Sequence, residues 1–238
     1  MEPVVALVCI AVAGFGGLLV PPVIRALPEP DTSEAAPGED PKPLYAEVGS
    51  RPGLAWRTAL VSGVLAAALG AILGQDWWLV ALVPLVPVCV ALAVIDWHTR
   101  LLPSLIVLPA TAYVIVVALV LWAISGDPGD LIRAAIGLVV ARSVYWLLWF
   151  IHSAGMGLGD VRLAALLGFS LSHVGWGEFG VGMYAGFLVF GLPGLILALV
   201  RRDRALLRVA YPFGPFMLVG ALVGLALGPA AAAYLVRG

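Results

Sequence analysis

Residues 155–168 read GMGLGDVRLAALLG. Three alternating glycines are followed by a carboxylate, Asp160, at the start of a predicted apolar helix. Asp160 stands out because only 11% of the residues are charged, whereas 62% are hydrophobic. Glycines let a backbone bend and let an extended peptide approach closely. Irregular backbone at membrane depth is tolerated only where protein buries it or where it lines a water-filled cavity. The stretch therefore predicts a polar site within an otherwise apolar bundle.

The composition predicts an all-α, polytopic integral membrane protein. A soluble domain carries about 25% charged residues, whereas this chain of 238 residues carries 11% and has a mean hydropathy of +1.07. Apolar runs of about 20 residues mark membrane-spanning helices. We predict eight such helices, of which the sixth is short, at about 3–23, 56–75, 77–95, 103–124, 130–151, 161–174, 179–200 and 214–236.

The predicted organisation of the chain has three parts. Residues 1–24 form the first transmembrane helix, residues 25–56 a cytoplasmic linker, and residues 57–238 a membrane-embedded core. The linker is rich in proline and acidic residues, a composition typical of a flexible segment rather than a folded domain. Cys9 and Cys89 lie inside apolar runs and the sequence contains no CxxC, so we expect neither a disulfide nor a cysteine zinc site.

Basic residues in the short loops predict the orientation, because cytoplasmic loops carry an excess of Lys and Arg. With eight helices, ten basic residues fall on one side: Arg25, Lys42, Arg51, Arg57, Arg100, Arg162, Arg201, Arg202, Arg204 and Arg208. This places both termini outside and puts Asp96 and Asp160 at cytoplasmic helix ends. Arg142 lies within the fifth predicted helix, where a structural role (pairing with a carboxylate in the bundle, snorkelling, or a shift of the helix) is favoured over a catalytic one.

Asp96 and Asp160 differ from the other acidic residues because each abuts a long apolar span on the same predicted side. An ionisable group costs about 2.5–3.5 kcal/mol at a helix centre and less at its end, so a functional role is the default hypothesis. The alternative is that each is simply the first solvated residue outside the bilayer. Two carboxylates held close together cannot both ionise easily, so one keeps a proton while the other acts as a base. Such a pair titrates as a unit and can hydrolyse a peptide bond without a metal or covalent intermediate.

Three motifs, in order along the chain, resemble those of the prepilin peptidases (type IV leader peptidases), which are bacterial GxGD aspartyl proteases. Gly157–Leu163 resembles the GxGDxKL signature, with Arg162 where the family usually has lysine. Asp96 with Leu101–Pro103 resembles the motif of the first aspartate, in which an aspartate lies seven residues before a proline. Tyr211–Phe216 is similar to the late P-F-G-P element at the start of the last helix.

The resemblance implies a multi-pass aspartic endopeptidase of the bacterial inner membrane, which removes the short leader of prepilin or pseudopilin precursors at the cytoplasmic face. Asp96 and Asp160 are implied to be the catalytic pair. The glycines are expected to shape a bend and the proline element to line or gate the peptide cleft, so we expect substrate-binding residues at Gly157, Gly159, Arg162, Pro212, Phe213, Gly214 and Pro215. The CxxC domain that bifunctional members use for N-methylation has no counterpart here, so proteolysis is predicted and methylation is not.

Other functions remain open at this point. A non-enzymatic transporter or channel could use paired carboxylates for protons or cations, although transporters more often place such groups near the bilayer midplane within inverted repeats. A catalytically inactive assembly scaffold is a third possibility. His98 and His152 lie near the aspartates in sequence, yet neither has tight ligand spacing, so we expect no metal and no other cofactor. The expected partners are the precursor proteins and the lipid bilayer, and nucleic acid is not expected.

Overall fold

Helices make up the regular secondary structure of the computed structural model, which describes residues 3–29, 42–151, 156–201 and 211–237. The predicted all-α class is confirmed. In chain order, the helices of the described ranges are α1 Pro3–Leu18, α2 Val20–Arg25, α3 Tyr45–Gly49, α4 Leu54–Leu73, α5 Leu79–Thr99, α6 Ser104–Ser125, α7 Gly129–Ile151, α8 Leu158–Val174, α9 Trp176–Arg201 and α10 Gly214–Arg237.

Within the described ranges, six helical segments are long and apolar enough to cross a membrane, with mean hydropathies between 1.6 and 2.6. They are Val4–Arg25, Leu54–Leu73, Leu79–Thr99, Ser104–Ser125, Gly129–Ile151 and Gly214–Tyr234. A hydrocarbon core of about 30 Å needs about 20 residues of helix, so the chain is a multi-pass membrane protein. Helices occur at all eight predicted positions, and α8, the short sixth one, has 17 residues. A single residue, Gly175, separates α8 from α9.

Helix α3 lies within the segment predicted to be a linker, and no sequence pattern predicted it. The Glu29 carboxylate accepts hydrogen bonds from the backbone N–H groups of Tyr45, at 2.7 Å, and Ala46, at 2.8 Å. These are two of the N–H groups that a helix leaves without an internal partner at its start. Tyr45 and Val48 are buried, so this part of the predicted linker is anchored to the fold. Residues 30–41 lie outside the described ranges.

The chain divides into two compact units, Met1–Leu101 and Leu102–Gly238, which we call the amino-terminal and carboxy-terminal units. In the amino-terminal unit, α1 and α4 pack very closely at Gly17. A Cβ atom on Gly17 would lie 2.5 Å from the Cα atom of Ala59, and the Thr58 hydroxyl donates to the Gly17 carbonyl at 2.7 Å. Small residues allow such close approach between membrane helices.

In the carboxy-terminal unit, α8 is the buried central helix and α7 packs along it. A Cβ atom on Gly168 of α8 would lie 2.5 Å from the Cβ of Ala141 and 2.7 Å from the Gly137 carbonyl oxygen. At the far end of α8, the Arg133 guanidinium donates to the carbonyl groups of Ser172, His173 and Val174. These carbonyls have no partner within the helix, so Arg133 caps the carboxyl end of α8.

Candidate active site

Asp160 lies in the first turn of α8, where its side chain caps the helix that carries it. Gly157 precedes the helix with extended backbone, and its N–H donates to Asp160 Oδ2 at 2.9 Å. This is the reciprocal half of a capping box, the only half available because glycine has no side chain to return a bond. Asp160 is 8% exposed. The positive end of the helix dipole faces this carboxylate and attracts its negative charge.

The two glycines of the motif have different structural roles. Gly157 is exposed, and a Cβ atom placed on it would lie 3.6 Å from Asp160 Oδ2, an ordinary contact. Gly159 is helical, and a Cβ atom there would lie 2.7 Å from Leu102 Cβ and 3.2 Å from the Leu102 carbonyl oxygen. The backbone before α6 therefore passes so close to α8 that a side chain at Gly159 does not fit.

Asp96 lies in the last turn of α5, within the amino-terminal unit, and is 4% exposed. Arg100 ends this helix in the left-handed conformation, with φ 54°, and its N–H donates to the Asp96 carbonyl at 2.8 Å. It is the one non-glycine residue of the described ranges with positive φ. Glycine usually occupies this position at a helix end, since a side chain there is strained.

His98, two residues after Asp96, is held by two partners. Its Nδ1 lies 2.8 Å from the Val94 carbonyl oxygen, and its Nε2 contacts the Arg51 guanidinium. A carbonyl only accepts hydrogen bonds and a guanidinium only donates them, so His98 fits as the neutral tautomer with the proton on Nδ1. No group of three or more potential metal ligands occurs within the described ranges. His152 lies outside them, so the two-histidine site is untested.

The remaining predicted substrate-binding residues all belong to the carboxy-terminal unit. Arg162 and Pro215 are half-buried, whereas Pro212 and Gly214 are buried. Phe213 is buried in a set of rings that we call the aromatic cluster: Tyr145, Phe187, Phe190, Phe213 and Phe216. The centroid of the Phe213 ring lies 5.2 Å from that of Phe187 and 5.0 Å from that of Phe190. Phe213 therefore belongs to the packing of this unit, and its predicted contact with substrate stays a prediction.

Tyr145 was not found by sequence reasoning, although the structure places it beside the candidate site. It is 1% exposed, and its hydroxyl has no hydrogen-bond partner within the described ranges. Ala141, one helical turn before it on α7, lies against Gly168 of α8. The only sequence signal was a tyrosine at helical spacing from Ala134, Gly137 and Ala141, a pattern typical of ordinary helix packing.

Arg142, the charged residue that the sequence places within a predicted membrane helix, is exposed on α7. No ion pair to it occurs within the described ranges.

Comparison with known proteins is consistent with the motifs. Residues 83–200, which include both aspartates, match the model of the type IV leader peptidase family. Proteins named prepilin leader peptidase/N-methyltransferase are similar to this chain. The one from Pseudomonas putida is 31% identical over 172 residues, which cover 71% of this chain and 56% of the relative. The one from Aeromonas hydrophila is 30% identical over 171 residues, covering 71% and 57%.

The match is partial in length. The relative from Escherichia coli K12 is 32% identical over 141 residues, covering 56% of this chain and 57% of the relative. The chain thus spans a little over half the length of these curated relatives. No solved structure gives a significant match. The family resemblance predicted from the three motifs is confirmed.

Proposed function

Because residues 83–200 form a type IV leader peptidase domain, we propose that the chain is a membrane aspartic endopeptidase that removes the leader from prepilin or pseudopilin precursors. Asp96 and Asp160 are the proposed catalytic pair. The observation that carries the proposal is the Asp160 site, a buried carboxylate held in the first turn of α8 by the Gly157 N–H. An ionisable group buried in an apolar bundle is by default functional.

The proposed chemistry uses one water molecule and both carboxylates. The ionised carboxylate takes a proton from water, whose oxygen attacks the carbonyl carbon of the scissile peptide. The protonated carboxyl polarises the carbonyl oxygen by a hydrogen bond. The C–N bond then breaks and the leaving amine takes up the proton. Because the pair titrates as a unit, the proton is not assigned to either aspartate.

The positions of the aspartates favour this reading over a transporter or channel. Asp96 lies in the last turn of α5 and Asp160 in the first turn of α8, whereas transporters usually bind their ions near the middle of the membrane. The excess of basic residues on the same predicted side supports a cytoplasmic active site. Gly157, Gly159, Arg162 and the 212–215 element are proposed to position the substrate, Arg162 as the cation beside Asp160.

The test is cleavage of a prepilin by the purified full chain reconstituted in lipid vesicles. Mass spectrometry of the products should give a cut between the basic leader and the apolar helix of the precursor. Intact precursor, together with carboxylate-dependent uptake of protons or cations into the vesicles, would favour the transporter reading. Accessibility of cysteines introduced at positions 100 and 129 to an impermeant reagent tests the orientation, since position 100 should be cytoplasmic and position 129 outside.

A further inference from the structure

The Tyr145 hydroxyl is a buried polar group that the packing of the protein leaves without a partner. The residue is 1% exposed, and no donor or acceptor in the described ranges meets its hydroxyl. Such a group costs about 1–3 kcal/mol, and in native structures it needs an explanation. Its ring packs between two others: the ring centroid lies 5.2 Å from that of Phe187 and 6.2 Å from that of Phe213. The hydroxyl therefore has a fixed position and an unused hydrogen-bonding capacity.

The register of α7 against α8 places this hydroxyl close to Asp160. Arg133 of α7 donates to the Ser172 carbonyl at the end of α8. Gly137, one turn later, lies against Ser172 and Gly168, and Ala141, a further turn on, lies against Gly168. The two helices are therefore antiparallel, and the next turn brings Tyr145 opposite the turn of α8 that follows Asp160. One helical turn corresponds to about 5.4 Å along the axis.

No hydrogen bond joins Tyr145 directly to Asp160 within the described ranges, so the hydroxyl keeps its hydrogen-bonding capacity for another group. We propose that the Tyr145 hydroxyl is a further catalytic residue, which donates a hydrogen bond to the carbonyl oxygen of the scissile peptide at Asp160. The inference rests on the proposed function and deepens it. A phenol has an ordinary pKa of about 10, so it is a neutral donor at the pH of a cell.

The chemistry gives this donor a reason to be fixed before substrate arrives. Attack of water on a peptide carbonyl builds negative charge on the carbonyl oxygen, and preorganised donors lower the barrier most when aimed at that charge. A carbonyl oxygen has two lone pairs, so it can accept from Tyr145 and from the protonated aspartate together. The desolvation cost of the unpartnered hydroxyl in the free protein is then recovered when substrate binds.

The test is Tyr145→Phe in the full chain, which removes the hydroxyl and keeps the ring between Phe187 and Phe213. We expect kcat for leader cleavage to fall by about 10- to 100-fold, less than the loss usual for a sole oxyanion donor because a second donor remains. KM should stay near the wild-type value, and the thermal midpoint should rise, because the substitution removes a buried hydroxyl that has no partner in the free protein. Tyr184→Phe is the matched control, since Tyr184 is 65% exposed, and it should cleave at the wild-type rate.

Two results for Tyr145→Phe would overturn the inference, and Tyr145→Leu helps to interpret the first. Wild-type kcat in Tyr145→Phe would mean that the hydroxyl contacts no reacting atom. Wild-type kcat in Tyr145→Phe together with inactive Tyr145→Leu would assign the ring to packing alone. A rise in KM at constant kcat would place the hydroxyl in uniform substrate binding instead. Failure of the folded wild-type chain to cleave would be distinct, because it would refute the proposed function itself.

Discussion

Gly159→Ala is the substitution whose consequence follows most directly from the structure. An alanine Cβ at this position would lie 2.7 Å from Leu102 Cβ, 3.2 Å from the Leu102 carbonyl oxygen and 3.5 Å from its Cα. Non-bonded carbon atoms prefer a separation of about 3.5–4.0 Å, so the backbone before α6 or the first turn of α8 must move by about 1 Å. Overpacking of this kind typically costs about 1–3 kcal/mol.

The same displacement should reach the chemistry. The first turn of α8 carries Asp160 and its bond to the Gly157 N–H, so a shift of that turn moves the proposed catalytic carboxylate. A misplacement of about 1 Å can cost about 100-fold in rate. We therefore expect Gly159→Ala to lower kcat/KM for leader cleavage by about 10- to 100-fold.

Gly157→Ala is the matched control, two residues away in the same motif. Its backbone, at φ −85° and ψ 157°, is open to any residue, and the added Cβ would make an ordinary contact of 3.6 Å with Asp160 Oδ2. Because no backbone has to move, we expect the thermal midpoint to stay near that of wild type and the loss of activity to be much smaller than in Gly159→Ala. Initial cleavage rates of the two variants in lipid vesicles, at equal amounts of folded protein, make the comparison. Equal rates for the two would refute the reasoning from Leu102.

Two further predictions concern stability, measured as thermal midpoints in detergent. Arg100→Gly should raise the stability by up to about 1 kcal/mol, because glycine adopts the left-handed conformation at the end of α5 without strain. Gly126→Ala, at φ 74° with open space around it, should lower the stability. A fall for Arg100→Gly would show that the contacts of the arginine side chain outweigh the backbone strain. Arg133→Met should destabilise the protein by about 1–3 kcal/mol, since the carbonyls that end α8 lose their hydrogen-bond donor. Asp130→Asn is the control and should change the stability by less than about 1 kcal/mol, because it removes only a surface ion pair. Equal effects of the last two would contradict the capping role.

Hydrophobic runs were enough to predict the helices, because each membrane-spanning segment satisfies its backbone hydrogen bonds internally and needs only length and hydropathy. Helix α3 escaped prediction for the opposite reason. It has five residues, too few for intrinsic helix propensity to stabilise it. Its start depends on a hydrogen bond to Glu29, which lies 16 residues earlier in the chain. The start of α8 at Leu158 rather than 161 also follows from a side-chain bond, that of Asp160 to Gly157.

The candidate site was predictable in part. Asp96 and Asp160 could be selected because each abuts a long apolar span on the same predicted side, and the structure shows that both are buried. The glycines were predicted to shape a bend, yet Gly159 is helical and its lack of a side chain serves the close approach of Leu102. That approach joins residues far apart in sequence, so no local pattern encodes it. The position of Tyr145 depends in the same way on rings from α9 and the 212–215 element.

The central claim is that leader cleavage requires both Asp96 and Asp160. Asparagine preserves the shape of each side chain and cannot take a proton from water, so Asp96→Asn and Asp160→Asn should each reduce the single-turnover cleavage rate by at least about 1,000-fold. Asp127→Asn, at an exposed loop position, is the control and should cleave at the wild-type rate. The double variant should be no slower than either single one, because residues that act as a unit are not additive. Cleavage at the wild-type rate by either folded single variant would contradict the account.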